Sequence, residues 1–406
     1  NGVYEMNPNV PEHYRRLLRA LKAEKCIPNR IVYNWHKEAK DLDNALENSI
    51  YRIFGLTKAL VTELPKEKVK LLILNNYKEN VQTLLYEALS GLVKTVNKEF
   101  SKYYFKAVEL KTDYVYMNEI LNYEFSATDG EEICYTDEGR FVRQITEYDI
   151  EKETRGMPSP FRNQGVYLIT GGMGKLATLL AEYLAERYQA RLILLGRSSL
   201  NESQKNEISR IESLGGEVMF IQADVSNQNE VNDAVKQARQ VFNKIHGVFH
   251  CAGTIRDHLI KDKTYEELDA VIHSKVKGAV YLDEALKDEP LDFFTLFSST
   301  SYLGNAGQAD YAYANSFLNR FANYREELCG KEQRYGKTVS MSWPLWKDGG
   351  MTMREETIKL LRTINGCVPL PNEVGLKAIE QMLLQKHNHI ILQYGETEKI
   401  RSQKNA

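Results

Sequence analysis

No run of apolar residues in this sequence is long enough to cross a membrane: the longest, such as VYLIT and RLILLG, are strand-length and far short of the ~20 residues a spanning helix needs. Cysteine is scarce. Five occur, at positions 26, 134, 251, 329 and 367, widely spaced and with no CxxC pair. That odd, dispersed set argues against a disulfide framework and a zinc site, and fits a reducing, cytoplasmic compartment. Neither charge dominates: 53 Lys and Arg face 55 Asp and Glu, for a net −2. No basic surface for nucleic acid or anionic lipid is therefore expected. No short internal repeat or low-complexity stretch stands out. The opening NGVYEMNPNV lacks both an initiator Met and a basic stretch followed by an apolar core. The expectation is a segment of a longer chain without a signal peptide.

What is present is α/β alternation over a length of 406 residues, enough for two or three domains. The first part reads helix (PEHYRRLLRALKAEK), strand (RIVYNW), helix (NALENSIYRIFGL), strand (KVKLLILNN), helix (VQTLLYEALSGLVKTVNKEF) and strand (YYFKAVEL). This favours a parallel sheet, yet no Gly-rich turn follows any of these strands, so a nucleotide-type fold without a nucleotide site is expected. From about Asn118, short β segments are expected over EILNYEFS, EEICYT and RFVRQIT. EYDIEKETRGMPSPFRNQG is polar, contains proline and has no apolar period, which marks a domain boundary. We divide the chain there into residues 1–158, residues 159–395 and a polar tail, 396–406. The second part alternates strand and helix from GVYLIT to HIILQYG and predicts a seven-stranded, doubly wound parallel sheet. PLWKDGGMTMREETIKLLRTINGC, with its Gly-Gly pair and no sheet-pairing signal, reads as a lid.

LITGGMGKLA follows the first strand of the second part and opens a helix. Gly171, Gly172 and Gly174 permit a tight turn, and the helix N-terminus offers N–H groups and a positive dipole end to a pyrophosphate. Ala177 stands where a further glycine is common. Arg197, just past the second strand in LLGRSS, suits a 2′-phosphate where a carboxylate would suit a 2′-hydroxyl, and so predicts NADPH. Asp224 and Val225 follow the third strand, where an adenine would lie, and HCAG ends the fourth with small Ala252 and Gly253, where backbone can pass close to a ribose.

FSSTSYLGNAGQADYAYAN places Ser298 and Ser299 at a strand end and Tyr311 and Asn315 one helical turn apart. Hydride transfer to a carbonyl needs a proton for the emerging alkoxide. A tyrosine can give it when a cation lowers its pKa from ~10, by ~2 units in a favourable site. A lysine is therefore wanted.

With these residues in place, the second part resembles the short-chain dehydrogenase/reductase superfamily. Most members carry the lysine four residues after the tyrosine, where this sequence has Asn315. The exchanged arrangement resembles the ketoreductase domains of modular polyketide synthases, in which the lysine comes from the preceding long helix; HSKVKGA supplies Lys275. PEHYRRLLRAL, GLVKTVNKEF and WPLWKDGGM are similar to domains of synthases served by a separate acyltransferase. The resemblance covers essentially the whole chain. It implies a truncated, cofactor-free Rossmann-like structural part ahead of a Rossmann catalytic part. It implies that Tyr311 is the proton donor, that a serine holds the carbonyl, that Lys275 binds ribose and tunes the phenol, and that Asn315 supports the relay. It further implies cofactor contacts at Thr170, Met173, Lys175, Leu176 and Pro344, besides the residues above. The loop before Tyr311 is one residue shorter than is usual in the family. Counting from Lys275 selects Ser299; counting back from Tyr311 selects Ser298. Ser299 is preferred, because a one-residue slip on a strand reverses the side chain while a loop absorbs a deletion.

The implied reaction is NADPH-dependent reduction of the β-keto group of an intermediate held through phosphopantetheine on an acyl carrier protein, beside neighbouring synthase domains. In the resembling family one facial class carries a Leu-Asp-Asp signature after the fourth strand; here AGTIRDHLI retains only its last member, Asp257. The opposite class carries tryptophan eight residues before the tyrosine, where this sequence has Leu303. A D-configured (B-type) product is expected. An aspartate capping the next helix is the plainer reading of Asp257. A catalytically silent scaffold or docking module is the alternative function.

Overall fold

The structure is a computed structural model and describes residues 2–34, 38–76, 80–111, 117–351 and 353–404. The chain forms two compact units, each assembled from separate stretches: residues 1–144, 255–271 and 301–320 in one, and residues 145–254, 272–300 and 321–406 in the other. Among the described residues no helix is long and apolar enough to cross a membrane.

The first unit is built on a five-stranded sheet of β1 (Arg30–Tyr33), β2 (Val69–Asn76), β3 (Tyr103–Leu110), β4 (Glu132–Thr136) and β5 (Gly139–Val142), in that order. β1 to β4 run parallel and β5 returns antiparallel. The segment expected as a strand near Asn118 is instead the helix Met117–Ser126. Met117, Ile120, Leu121 and Phe125 recur at helical spacing and pack with Leu72, Leu74 and Val108 of the sheet. Glu124 on the same face is buried and paired with Lys106 Nζ at 2.7 Å, which a two-residue period would not have brought inward.

The second unit carries a seven-stranded sheet of β6 (Val166–Thr170), β7 (Arg191–Gly196), β8 (Glu217–Gln222), β9 (Gly247–His250), β10 (Phe293–Ser299), β11 (Lys337–Trp343) and β12 (His389–Ile391). Its order is β12-β11-β10-β9-β6-β7-β8, all parallel. β6 and β9 are neighbours in the middle although far apart in sequence, so the crevice between them, at their C-terminal ends, is the topological switch point where such folds bind ligands. The core packs Tyr167, Ile169, Leu180, Leu192, Leu194 and Phe249 around this centre. The segment expected as a lid holds a helix, Glu355–Asn365, with no buried residue, flanked by single bridges between Trp346 and Leu370 and between Cys367 and Gly395.

Candidate active site

The Gly-rich turn leaves β6 at Thr170, which is buried. Gly171 has φ +64°, the left-handed region that favours glycine, and a Cβ there would lie 3.0 Å from the Ala252 Cα. A Cβ on Gly172 would meet the Leu194 Cβ at 2.7 Å, so the turn can lie this close to its neighbouring strands only as glycine. Gly174 is the N-cap of the helix Lys175–Tyr188, which has no side-chain cap bond and no acidic residue in its first turn. The turn therefore aims helix N–H groups at a space that an anion suits. Lys175 opens this helix and lies against Gly350, whose Cβ would be 3.1 Å from its own; Met173 and Leu176 pack towards the core. Half-buried Pro344 follows β11 directly and begins the segment that leads to Gly350. The residues present fit a dinucleotide.

Arg197 lies one residue beyond β7 with an exposed side chain, its carbonyl accepting from Gln222 Nε2 at 3.2 Å. Asp224 turns its carboxylate back to Ser226, accepting from the Ser226 backbone N at 2.9 Å and from its Oγ at 2.7 Å. Val225 is buried and lies 3.1 Å from a Cβ built on Gly278, on the helix that carries Lys275.

Lys275 sits on a π-helical turn, His273–Lys277, in which Ser274, Lys275, Val276 and Lys277 are all buried. Four consecutive buried residues mean that this turn is enclosed on every side, and single π turns of this kind are frequent at functional sites. Lys275 Nζ donates to the Phe297 carbonyl oxygen at 2.7 Å, and its stem runs past Gly253, where a Cβ would be 2.9 Å from the Lys275 Cε. Burial lowers the ammonium pKa to about 8.

His250 links this turn to the cofactor strand. Its Nε2 lies 3.1 Å from the Lys275 carbonyl oxygen and its Nδ1 2.9 Å from Thr170 Oγ1. A carbonyl only accepts, so Nε2 carries the proton. Burial holds the ring neutral, with a pKa lowered to about 3, so Nδ1 accepts from the Thr170 hydroxyl. Thr170 Oγ1 in turn accepts from Ala252 N at 3.2 Å. Ser298 is buried, and its hydroxyl accepts from Ser342 Oγ at 3.2 Å; Ser299, the last residue of β10, is half-buried and points to the other face of the sheet.

Tyr311 and Asn315 belong to the first unit, on the opening turns of the helix Ala309–Gly330. Both are buried, and Asn315 Nδ2 donates to the Tyr311 carbonyl at 2.8 Å and to Ser301 Oγ at 3.2 Å. Asp310 Oδ1 accepts from Tyr311 N at 2.8 Å, and its Oδ2 is paired with Lys263 Nζ at 2.8 Å, both side chains being fully buried. Asp257 does not cap the next helix: Thr264 and Glu267 exchange cap hydrogen bonds there. Instead the Asp257 carboxylate accepts from Gln308 Nε2 at 3.0 and 3.2 Å.

Residues 165–348 match the family model described as KR domain, and residues 1–126 match one described as Beta-ketoacyl synthase-like, N-terminal. Polyketide synthase PksN of Bacillus subtilis (strain 168) is 34% identical over 93% of the chain, and PksL of the same organism 37% identical over 78%. The chain spans only 7% of the length of each. A solved ketoreductase domain from the bacillaene assembly line is 32% identical with a TM-score of 0.87, over 93% of this chain and 94% of that one. The chain belongs to the polyketide synthase ketoreductase domains. An N-terminal ketoreductase from the macrolactin assembly line is also similar, at 32% identity and TM-score 0.87 over 99% of this chain and 80% of that one. The ketoreductase is thus an NAD(P)-dependent oxidoreductase of the short-chain dehydrogenase/reductase superfamily that acts on a β-keto group.

Three buried residues adjoin residues expected from the sequence without being marked out there themselves: His250 beside Thr170 and Lys275, and, in the other unit, Lys263 with Asp310 beside Tyr311. His250 stands in HCAG, where the sequence points only to small Ala252 and Gly253 and the close passage of backbone by a ribose. Lys263 and Asp310 carry no local signal, because nothing near either in sequence says that the two are buried together.

Proposed function

We propose that the ketoreductase reduces, with NADPH, the β-keto group of an acyl chain carried on the phosphopantetheine arm of an acyl carrier protein, in a synthase served by a separate acyltransferase, and that the product is the D-configured alcohol. The observation that carries this reading is the buried Lys275 ammonium held at the Phe297 carbonyl, two residues before Ser299, in a member of this family. When bound, the nicotinamide supplies the hydride. Tyr311 then delivers the proton to the alkoxide oxygen, Lys275 holds ribose and lowers the phenol pKa, and Asn315 supports the relay. Ser299 donates to the substrate carbonyl. In support, the Ser298 hydroxyl is already engaged by Ser342 between β10 and β11. The exposed Arg197 side chain supports NADPH over NADH through bidentate contact with a phosphate. The remaining cofactor contacts are those around Thr170, Lys175, Asp224, Ala252 and Pro344. Asp257, free of any capping duty, supports the D assignment.

One experiment tests the reading: a short 3-ketoacyl thioester is incubated with NADPH or NADH, and the alcohol is resolved by chiral chromatography. NADPH is expected to be preferred and the 3R product to dominate for an unbranched chain. Tyr311→Phe should keep NADPH binding and lose nearly all turnover. Cofactor binding without turnover in the wild type would favour a silent scaffold, and mainly L product would sink the assignment of hand.

A further inference from the structure

We propose that Glu99, which lies outside the KR-matching stretch, is a positioning residue for stereoselectivity, acting through the two loops that carry Asp257 and Gln308. The inference rests on the reading of Asp257 given above. Glu99 is the last residue of the helix Leu89–Glu99, the end where the helix dipole disfavours a carboxylate. Burial raises its pKa, so its placement there needs donors. It has two from backbone: Oε2 accepts from Ile260 N and Oε1 from Gly307 N, each at 2.9 Å. One carboxylate thus holds the 255–263 loop with one oxygen and the 304–308 loop with the other.

The loops are stitched together on either side of it. His258 N donates to the Gly307 carbonyl at 3.1 Å, and Gln308 Nε2 grips Asp257. Gly307 has φ +85°, a conformation that an L side chain would strain, so the loop keeps its N–H aimed at Glu99. The same helix end holds the loop once more, with Lys98 Nζ donating to the Leu303 and Gly304 carbonyls, each at 2.9 Å. Loss of either N–H contact frees Asp257 to move against Gln308 without touching the Gly-rich turn.

Glu99→Gln keeps the shape and turns an amide N–H₂ against one of the two backbone donors. The share of minor enantiomer from a short 3-ketoacyl thioester is expected to rise about tenfold. The NADPH dissociation constant, read by fluorescence, should stay within about twofold. Should Glu99→Gln fail to fold, Glu99→Asp keeps the charge but is too short to reach both loops, and a smaller rise is expected. The double variant Glu99→Gln/Asp257→Ala should give the same product ratio as Asp257→Ala alone, because Glu99 acts through Asp257. A purely structural role would not produce that coincidence. An unchanged ratio in both Glu99 variants, beside an eroded one in Asp257→Ala, overturns the inference and leaves the reading of Asp257 standing. Unchanged ratios in all variants overturn both. Additive erosion in the double variant also overturns the inference.

Discussion

Lys275 shows how burial sets the working range of a single side chain. Its ammonium titrates near pH 8 because desolvation penalises the charge. If that charge tunes the Tyr311 phenol, kcat/KM for reduction should be level below about pH 8 and fall as pH rises through it. Lys275→Arg, slower but permanently charged, should lose this alkaline limb. The stability effect has the opposite sign. The folded pKa lies below the unfolded value of ~10.4, so the unfolded chain binds more protons between about pH 8 and pH 10. The cost of burying the ammonium is fully present below pH 8 and is relieved as pH rises. Thermal unfolding of wild type against Lys275→Met at pH 7.5 and 9.5 checks this: the gap should move in favour of wild type at the higher pH. The serines offer a second residue-scale test. Ser299→Ala should lower kcat by about a hundredfold, as loss of a carbonyl donor does. Ser298→Ala, which loses a hydroxyl shared with Ser342, should leave most turnover. Equal losses would remove the ground for choosing Ser299.

At the scale of elements, the strands and helices of the second unit were legible because fully buried parallel strands and amphipathic helices carry their period openly. The helix Met117–Ser126 resembles a strand in sequence because its short apolar stretch lies among true strands, and only the spacing of Met117, Ile120, Leu121 and Phe125 distinguishes it. The π turn at His273–Lys277 left no such mark, since it alters hydrogen bonding by one residue without changing the residue types. The loop 255–263 and the Tyr311 helix are joined by the buried Lys263–Asp310 pair, invisible in sequence because its members are far apart. Removing one member of a buried pair strands the other, so Lys263→Met should cost ~3–5 kcal/mol. Lys263→Met/Asp310→Asn should recover much of that. Burial already raises the Asp310 pKa to about 6 despite Lys263. A folded value above the unfolded one of ~3.9 means this carboxyl favours the folded state increasingly as pH falls from about 6 towards 4. In Lys263→Met the window should shift to higher pH, so that urea midpoints at pH 5.5 and 7.5 diverge more than in wild type. Equal divergence would mean that the pair is not electrostatically coupled.

For the whole molecule, periodicity reports each element but not which distant stretches fold together. The sequence suggested contiguous parts meeting near residue 158, whereas the compact units interleave, and the segment 301–320 that carries Tyr311 and Asn315 lies in the same unit as residues 1–144. The contact brings backbone against backbone at one point and is fastened by side chains beside it. A Cβ on Gly91 would lie 2.3 Å from the Ala312 carbonyl oxygen. Ser90 Oγ meets Ser316 Oγ at 3.0 Å, and the Tyr313 hydroxyl donates to the Leu85 carbonyl at 3.0 Å. The helix that presents Tyr311 is therefore seated by residues that carry no catalytic motif. Gly91→Ala must push these backbones apart, an overpacking cost of ~1–3 kcal/mol that falls on the turn bearing Tyr311. Turnover should drop by about tenfold or more while the NADPH dissociation constant stays within about twofold, since the Gly-rich turn is untouched. Gly91→Val, bulkier still, should also lower the unfolding temperature. Residues 159–395 expressed alone should be insoluble or molten, because 255–271 and 301–320 would lose the helices of the first 100 residues that they pack on. A soluble, cooperatively unfolding and active 159–395 fragment would show that the seat is dispensable, and the Gly91 effect would then need a different cause.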